Sequence, residues 1–303
     1  MAIPDHIDFV EVGPRDGLQN EPVQIATADK LNLIARAIDA GASRIEVASF
    51  VNPAKVPQMA DAEAVCAGLP DRSDVTYIGL VMNARGATRA LATGKIDQLG
   101  AVCVATDSFA MANQGQTSDG SVEAAGEIFA MARAAGCSAQ ATIAASFGCP
   151  FEGEVSEDRV VQMATRLAIA GAAEIALADT IGVANPAHVT RLVERVRAAI
   201  HPLQLRVHFH NTRGTGLANV WAAIAAGART VDASLGGLGG CPFAPGAAGN
   251  VPSEDVVYML ERAGVRTGMD LEKLISANHW LADIMGRKLP AMAAQAPPFP
   301  KAA

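Results

Sequence analysis

The sequence predicts a (β/α)8 TIM barrel, on three observations. Eight short apolar, β-branched runs recur along the 303 residues, separated by Ala/Leu-rich segments with helical spacing. Three helical segments close on a shared device (AGAS, AGAA and AGAR), which places Gly41, Gly171 and Gly227 to cap the helix before the next strand. The turn after the first run, GPRDGLQNE (13–21), does not fit the GxGxxG that a doubly wound open sheet would carry there. Such alternation implies a parallel sheet, and about eight units suit its closure.

The first run is DFVEV (8–12), entered almost directly from the N-terminus, with ADKLNLIARAIDAG as the helix behind it. RIEVAS (44–49), VTYIGLV (75–81), QLGAVCVA (98–105) and AQATIAAS (139–146) supply the next four strands. SEDRVVQMATRLAIAG then leads into EIALAD (174–179), followed by LRVHFH (205–210) and TVDASL (230–235). Near-continuous apolar strands fit a sheet covered on both faces. One domain is expected, with the barrel over about 8–266 and a further C-terminal helix and short tail over about 270–303. The Pro/Ala-rich tail, AMAAQAPPFPKAA, is expected to fray, or to serve as a lid or an oligomer contact.

Half of the residues are hydrophobic and the formal net charge is −7. That acidic balance argues against nucleic acid or an anionic membrane as the partner. No apolar run is long enough to span a bilayer and no cationic leader opens the chain, so a cytoplasmic protein is expected. Cys66, Cys103, Cys137, Cys149 and Cys241 are odd in number and lack CxxC spacing, against a disulfide framework or a thiolate zinc site.

The seventh run ends in VHFHNTRG, with His208 and His210 two apart and so on one face of the strand. Barrel chemistry sits at the carboxyl ends of the strands. Arg15 and Asp16 follow the first strand, Glu46 lies within the second, and Asp179 and Thr180 end the sixth. Beyond the eighth comes LGGLGGCPFAPGAAGN, a glycine-rich loop carrying Cys241 and Asn250. Any one of these has an ordinary reading: a strand carboxylate paired with an arginine, an Asp–Gly turn, or a packed cysteine. Their convergence on one rim points instead to a site. Two imidazoles, the Asp16 carboxylate and the Asn250 carbonyl form a mixed N/O set without thiolate, which suits Mg2+ or Mn2+ better than Zn2+.

GPRDGLQNE (13–21), IEVASFVNPAKVPQM (45–59), ADTIG (178–182), HFHNTRG (208–214) and GLGGCPFAPGAAGN (237–250) together resemble the 3-hydroxy-3-methylglutaryl-CoA lyase family, over nearly the whole chain. That family belongs to the metal-dependent barrels related to the isopropylmalate and homocitrate synthases. The resemblance implies that Asp16, His208, His210 and Asn250 hold the divalent metal. It gives Arg15 the enolate oxygen of departing acetyl-CoA, Glu46 and Asp179 the proton relay, and Cys241 the loop residue needed for catalysis. His208 is expected to be catalytic as well as a ligand, and Arg15, Gln19 and Thr180 to contact substrate. It further implies an acyl-CoA thioester substrate, a role in leucine catabolism and a homo-oligomer, dimer or larger. Pro22 replaces an expected lysine, and Asn211 and Arg213 depart from the family's Asp-Thr-Tyr-Gly. Citramalyl-CoA or a longer 3-hydroxy-3-alkylglutaryl-CoA is therefore an alternative substrate. A related aldolase or Claisen synthase, and a non-catalytic barrel, are the competing classes; Cys241 in its loop and the intact polar set favour the lyase.

Overall fold

The computed structural model describes residues 3–240, 249–297 and 299–300. Eight parallel strands form a closed barrel in sequence order: β1 (Asp8–Glu11), β2 (Arg44–Ser49), β3 (Thr76–Val81), β4 (Gln98–Val104), β5 (Ser138–Ala144), β6 (Glu174–Asp179), β7 (Gln204–Phe209) and β8 (Thr230–Ala233). Closure pairs Asp8 with Thr230 through Glu11 with Ala233. Helices α1 (Thr27–Asp39), α2 (Ala62–Ala67) and α3 (Ala84–Ala92) follow the first three strands. Two helices, α4 (Asp107–Gln114) and α5 (Ser118–Ala134), follow β4; α6 (Glu157–Ala170), α7 (Pro186–Ile200) and α8 (Gly216–Ala226) continue the alternation. The chain ends with α9 (Ser253–Arg262) and α10 (Leu271–Met285). Among the described residues no helix is long and apolar enough to cross a membrane.

Local chemistry sets these boundaries. Gly171 and Gly227 follow their helices at φ of 104° and 110°, and Gly41 lies at 100°, a region costly for residues with a Cβ. Asn185 accepts from the His188 amide and is followed by Pro186, a favoured helix start. The eighth strand is shorter than its apolar run suggests. Ser234 and Leu235 leave the sheet for a turn in which Gly236 and Gly237 take φ of 75° and 72°.

Alternation along the strands sorts side chains into two populations. Leu205, Val207, Phe209, Ile175 and Leu177 are buried in the main core between barrel and helices. The barrel interior holds a small apolar cluster of Val10, Val12 and Ile78 and a buried ionic layer. There Arg44 donates to both Glu174 oxygens (3.1 and 2.7 Å), Thr230 donates to Glu174 (2.8 Å), and Arg206 lies 3.6 Å from Glu174 and 3.4 Å from Asp232. Buried charges need such partners, since desolvation would otherwise oppose their ionised forms.

The tail departs from the frayed segment expected. Leu289, Ala291 and Ala294 are buried, and Asp255 accepts from the Met292 and Ala293 amides (3.1 and 2.6 Å). Phe299 lies under Arg262, whose guanidinium carbon is 4.0 Å from the ring centre. Asp255 on α9, with His279 of α10 at the Ala294 carbonyl (3.0 Å), holds this segment, which tail composition does not reveal.

Beside Asp255, buried Glu254 accepts from the Gly236 amide and from Asn278 of α10 (2.8 Å). Burial pushes its carboxyl up from 4.5 to about 8, against the hydrogen bonds it receives. Between pH 4.5 and about 8 the native state keeps a proton that the unfolded chain has released. The stability this confers is complete below that window and is lost as pH rises through it. Wild-type urea midpoints should therefore fall with pH relative to Glu254→Gln; midpoints that stay parallel would contradict the assignment.

Candidate metal centre and active site

Val12 follows the first strand, and its carbonyl accepts the Arg15, Asp16 and Gly17 amides (3.2, 2.7 and 3.2 Å) in a wide π-type turn. That turn delivers adjacent side chains to the pocket. Arg15 bonds Asp16 through Nη1 and Glu46 Oε2 through Nη2, the latter at 2.7 Å. Its Nε is buried without a partner.

Opposite, strand alternation carries Arg206, His208 and His210 inward together. The chain then pairs with the segment entering α9: Asn211 N donates to Gly249 O (2.9 Å) and Val251 N to Phe209 O (3.0 Å). Asn250 is thereby fixed beside His210. Its amide nitrogen donates to Asp16 Oδ2 (2.7 Å) and Leu238 O (2.9 Å), leaving Oδ1 buried without a hydrogen bond. Gly239 makes this approach feasible, because a Cβ there would lie 2.4 Å from the Asn250 amide nitrogen.

Asp16, His208 and His210 each present a ligand atom, all within 4.8 Å of one another. Burial opposes ionisation of Asp16, but Arg15, the two imidazoles and Asn250 outweigh it and hold the carboxyl at about 2. Burial and neighbouring His208 push His210 down to about 4, and its Nδ1 is buried without a partner. A neutral imidazole, a firm carboxylate and an unpartnered amide oxygen are all groups that can ligate a divalent cation. The donor set fits a divalent cation.

His208 Nδ1 lies 3.3 Å from Asp232 Oδ2, and Nε2 lies 3.7 Å from Asp16 Oδ2. Burial would lower the His208 pKa, but these two carboxylates raise it. One ring nitrogen of His208 thus faces each carboxylate, and the Asp232 contact at Nδ1 fixes the ring's orientation. Asp232, within the TVDASL run, did not emerge from the sequence as a site residue. Its signal is a lone carboxylate in an otherwise apolar strand, as Arg206 two residues before His208 signalled its own inward face.

Glu46, Thr180 and Gln19 line the same pocket, Gln19 with a buried, unpartnered Oε1. Thr180 accepts from the Ala145 amide (2.9 Å). The far wall is apolar, made by Leu80, Met82, Val102, Val104 and Phe109.

Asp179 is placed elsewhere. It shares the outward parity of Ile175 and Leu177, and its carboxylate accepts from the Val183 and Ala184 amides (2.9 and 3.0 Å). Burial raises its pKa against those bonds. The Asp179 carboxylate braces the loop after β6 and lies near enough to His208 for their charges to interact. Of the two departures after His210, Asn211 accepts from the Gly216 amide at the start of α8, and Arg213 donates to the carbonyls of Ile181 and Gly182. Cys241 lies outside the described residues.

Asp232→Asn should weaken metal binding by roughly 10–100-fold, the cost typical of losing a partner behind a metal-bound histidine. Titration of Mn2+ into the metal-free protein measures this, and unchanged affinity would remove Asp232 from the site.

The HMGL-like family model matches residues 6–281. The chain is 41% identical over 290 residues to a hydroxymethylglutaryl-CoA lyase of Bacillus subtilis (strain 168), covering 96% of this chain and 97% of that protein. It is 42% identical over 302 residues to the (R)-citramalyl-CoA lyase of Chloroflexus aurantiacus, covering 96% and 95%. Its fold superposes with a TM-score of 0.93 on a solved structure of an HMG-CoA lyase from Acinetobacter baumannii in complex with coenzyme A and 3-methylmalate. That match has 42% identity and covers 99% of this chain and 100% of the other.

Proposed function

The chain belongs to the HMGL-like family, and from that premise we propose that it is a divalent-metal-dependent carbon–carbon lyase. It cleaves 3-hydroxy-3-methylglutaryl-CoA, or a close 3-hydroxyacyl-CoA, into acetyl-CoA and a keto acid such as acetoacetate. The observation that carries this reading is the convergence of Asp16, His208, His210 and Asn250 at the pocket that also takes Arg15 and Glu46. A divalent ion held by those four residues supplies Lewis acidity toward substrate oxygens.

The chain's own groups account for the remaining chemistry. Glu46, in the pocket and held by Arg15, accepts the proton of the tertiary hydroxyl. The C2–C3 bond then breaks, C3 becomes the ketone of the departing keto acid, and the bonding pair passes to the thioester α-carbon. That pair delocalises onto the thioester oxygen, where the Arg15 guanidinium meets the developing charge; its Nε–H has no other partner. We assign protonation of the released α-carbon to the Cys241 thiol. The preceding residue, Gly240, lines the pocket, and its carbonyl accepts from Asn20 (2.7 Å).

Citramalyl-CoA is the second substrate reading, supported by the 42% identity to the (R)-citramalyl-CoA lyase. Acetyl-CoA release from HMG-CoA, citramalyl-CoA and a longer 3-hydroxy-3-alkylglutaryl-CoA, each with Mg2+ and Mn2+, separates the readings. Highest kcat/KM with HMG-CoA is expected, and absence of metal-dependent release from every thioester would sink the lyase assignment. Arg15→Met should lower kcat by roughly 100-fold or more, as losing an oxyanion donor does. Arg15→Lys should recover little, because a point charge does not replace a planar fork. A rise in KM alone would place Arg15 in binding.

A further inference from the structure

Glu11 takes no part in the chemistry above, yet it is fully buried at the end of β1, with outward parity like Phe9. One carboxylate oxygen accepts from the Gly13 amide (2.7 Å) and the Leu235 amide (2.8 Å), and the other accepts from Ser253 Oγ (2.6 Å). These donors belong to three separate segments. Gly13 opens the turn that carries Arg15 and Asp16, Leu235 opens the turn leaving β8, and Ser253 starts α9 three residues after Asn250. The next amide, that of Gly236, ends on the neighbouring buried carboxylate of Glu254. The approach is close enough that a Cβ on Gly13 would lie 2.6 Å from Glu11 Oε1.

Asp16 and Asn250 are 234 residues apart in sequence and meet through a 2.7 Å hydrogen bond. Both emerge from segments that Glu11 holds. A buried carboxylate is costly unless its bonds are made, and these three make it a rigid connector. We propose that Glu11 is a positioning residue: it fixes the Asp16 turn against the Asn250 segment and so sets the affinity of the metal centre. This rests on the metal reading above. The connection needs acceptors and not charge. A glutamine could keep its oxygen on the two amides while its NH2 group donates to Ser253, whose hydroxyl turns from donor to acceptor.

Mn2+ titrations of the full-length metal-free protein, with urea unfolding of each variant, test the proposal. Glu11→Ala should weaken Mn2+ binding by roughly tenfold or more, as losses behind a metal ligand do, and Glu11→Gln should stay within about threefold of wild type. Leu192→Ala, a cavity in α7, should lower stability while leaving Mn2+ affinity unchanged, so that general loosening is distinguished from positioning. Should Glu11→Ala fail to fold, Ser253→Ala carries the test through loss of one of the three bonds, with weakening of about threefold or more expected. Full Mn2+ affinity in a folded Glu11→Ala or Ser253→Ala, or a Glu11→Gln as impaired as the alanine, would overturn the proposal. A wild-type chain that binds no Mn2+ would overturn the metal reading, and this proposal with it.

Discussion

Successive side chains of a strand point to opposite faces, and barrel closure turns one face into an interior and the other into a helix-covered core. In β7 and the bridge residue after it, that constraint brings Arg206, His208 and His210 to one side while Leu205, Val207 and Phe209 anchor the other. The apolar half supports the polar half: Phe209 packs 5.7 Å, centre to centre, from Phe147, and Val251 bonds its carbonyl next to the metal donors. The same parity turns Asp179 outward and keeps Asp232 beside His208.

Electrostatics then differentiates groups that the fold has gathered. Asp16 is held ionised because a guanidinium and two imidazoles offset its burial. His210 is held neutral because burial and His208 act in the same direction. Away from the pocket, Glu11 and Glu254 accept consecutive amides of the turn after β8, and burial raises both carboxyls, Glu11 to about 7. The turns that carry Asp16 and lead to Asn250 are thus tied together by buried carboxylates. Those turns are held by carboxylates that never face the pocket.

Much of this arrangement was legible in the sequence, because its signals are local. Strand–helix alternation and AGAx caps are short-range patterns, and they gave the barrel. His208 and His210 are two apart on one strand, so their shared direction follows from spacing alone. Asn250 and Asp16 meet across 234 residues, and their placement at the carboxyl ends of the strands, together with the glycine-loop resemblance, anticipated them together. Asp179 lies at the end of β6, as its place in the run indicates, but its parity with Ile175 and Leu177 is visible only once the strand register is known. Glu11, Asp232 and Asp255 escaped notice because each acts through backbone amides or another side chain. A sequence displays the carboxylate and not its distant donors. The docked tail is the same lesson: Ala291 and Ala294 look like linker residues until Asp255 accepts the amides between them.

The central claim is that two imidazoles from one barrel strand hold the divalent ion. Pulsed electron paramagnetic resonance on the Mn2+-loaded protein, with 15N confined to histidine, tests it most directly. Couplings from two histidine nitrogens are predicted, with one remaining in His210→Ala. Mn2+ that binds at the site but shows no histidine coupling, or a spectrum unaltered by His210→Ala, would contradict the account.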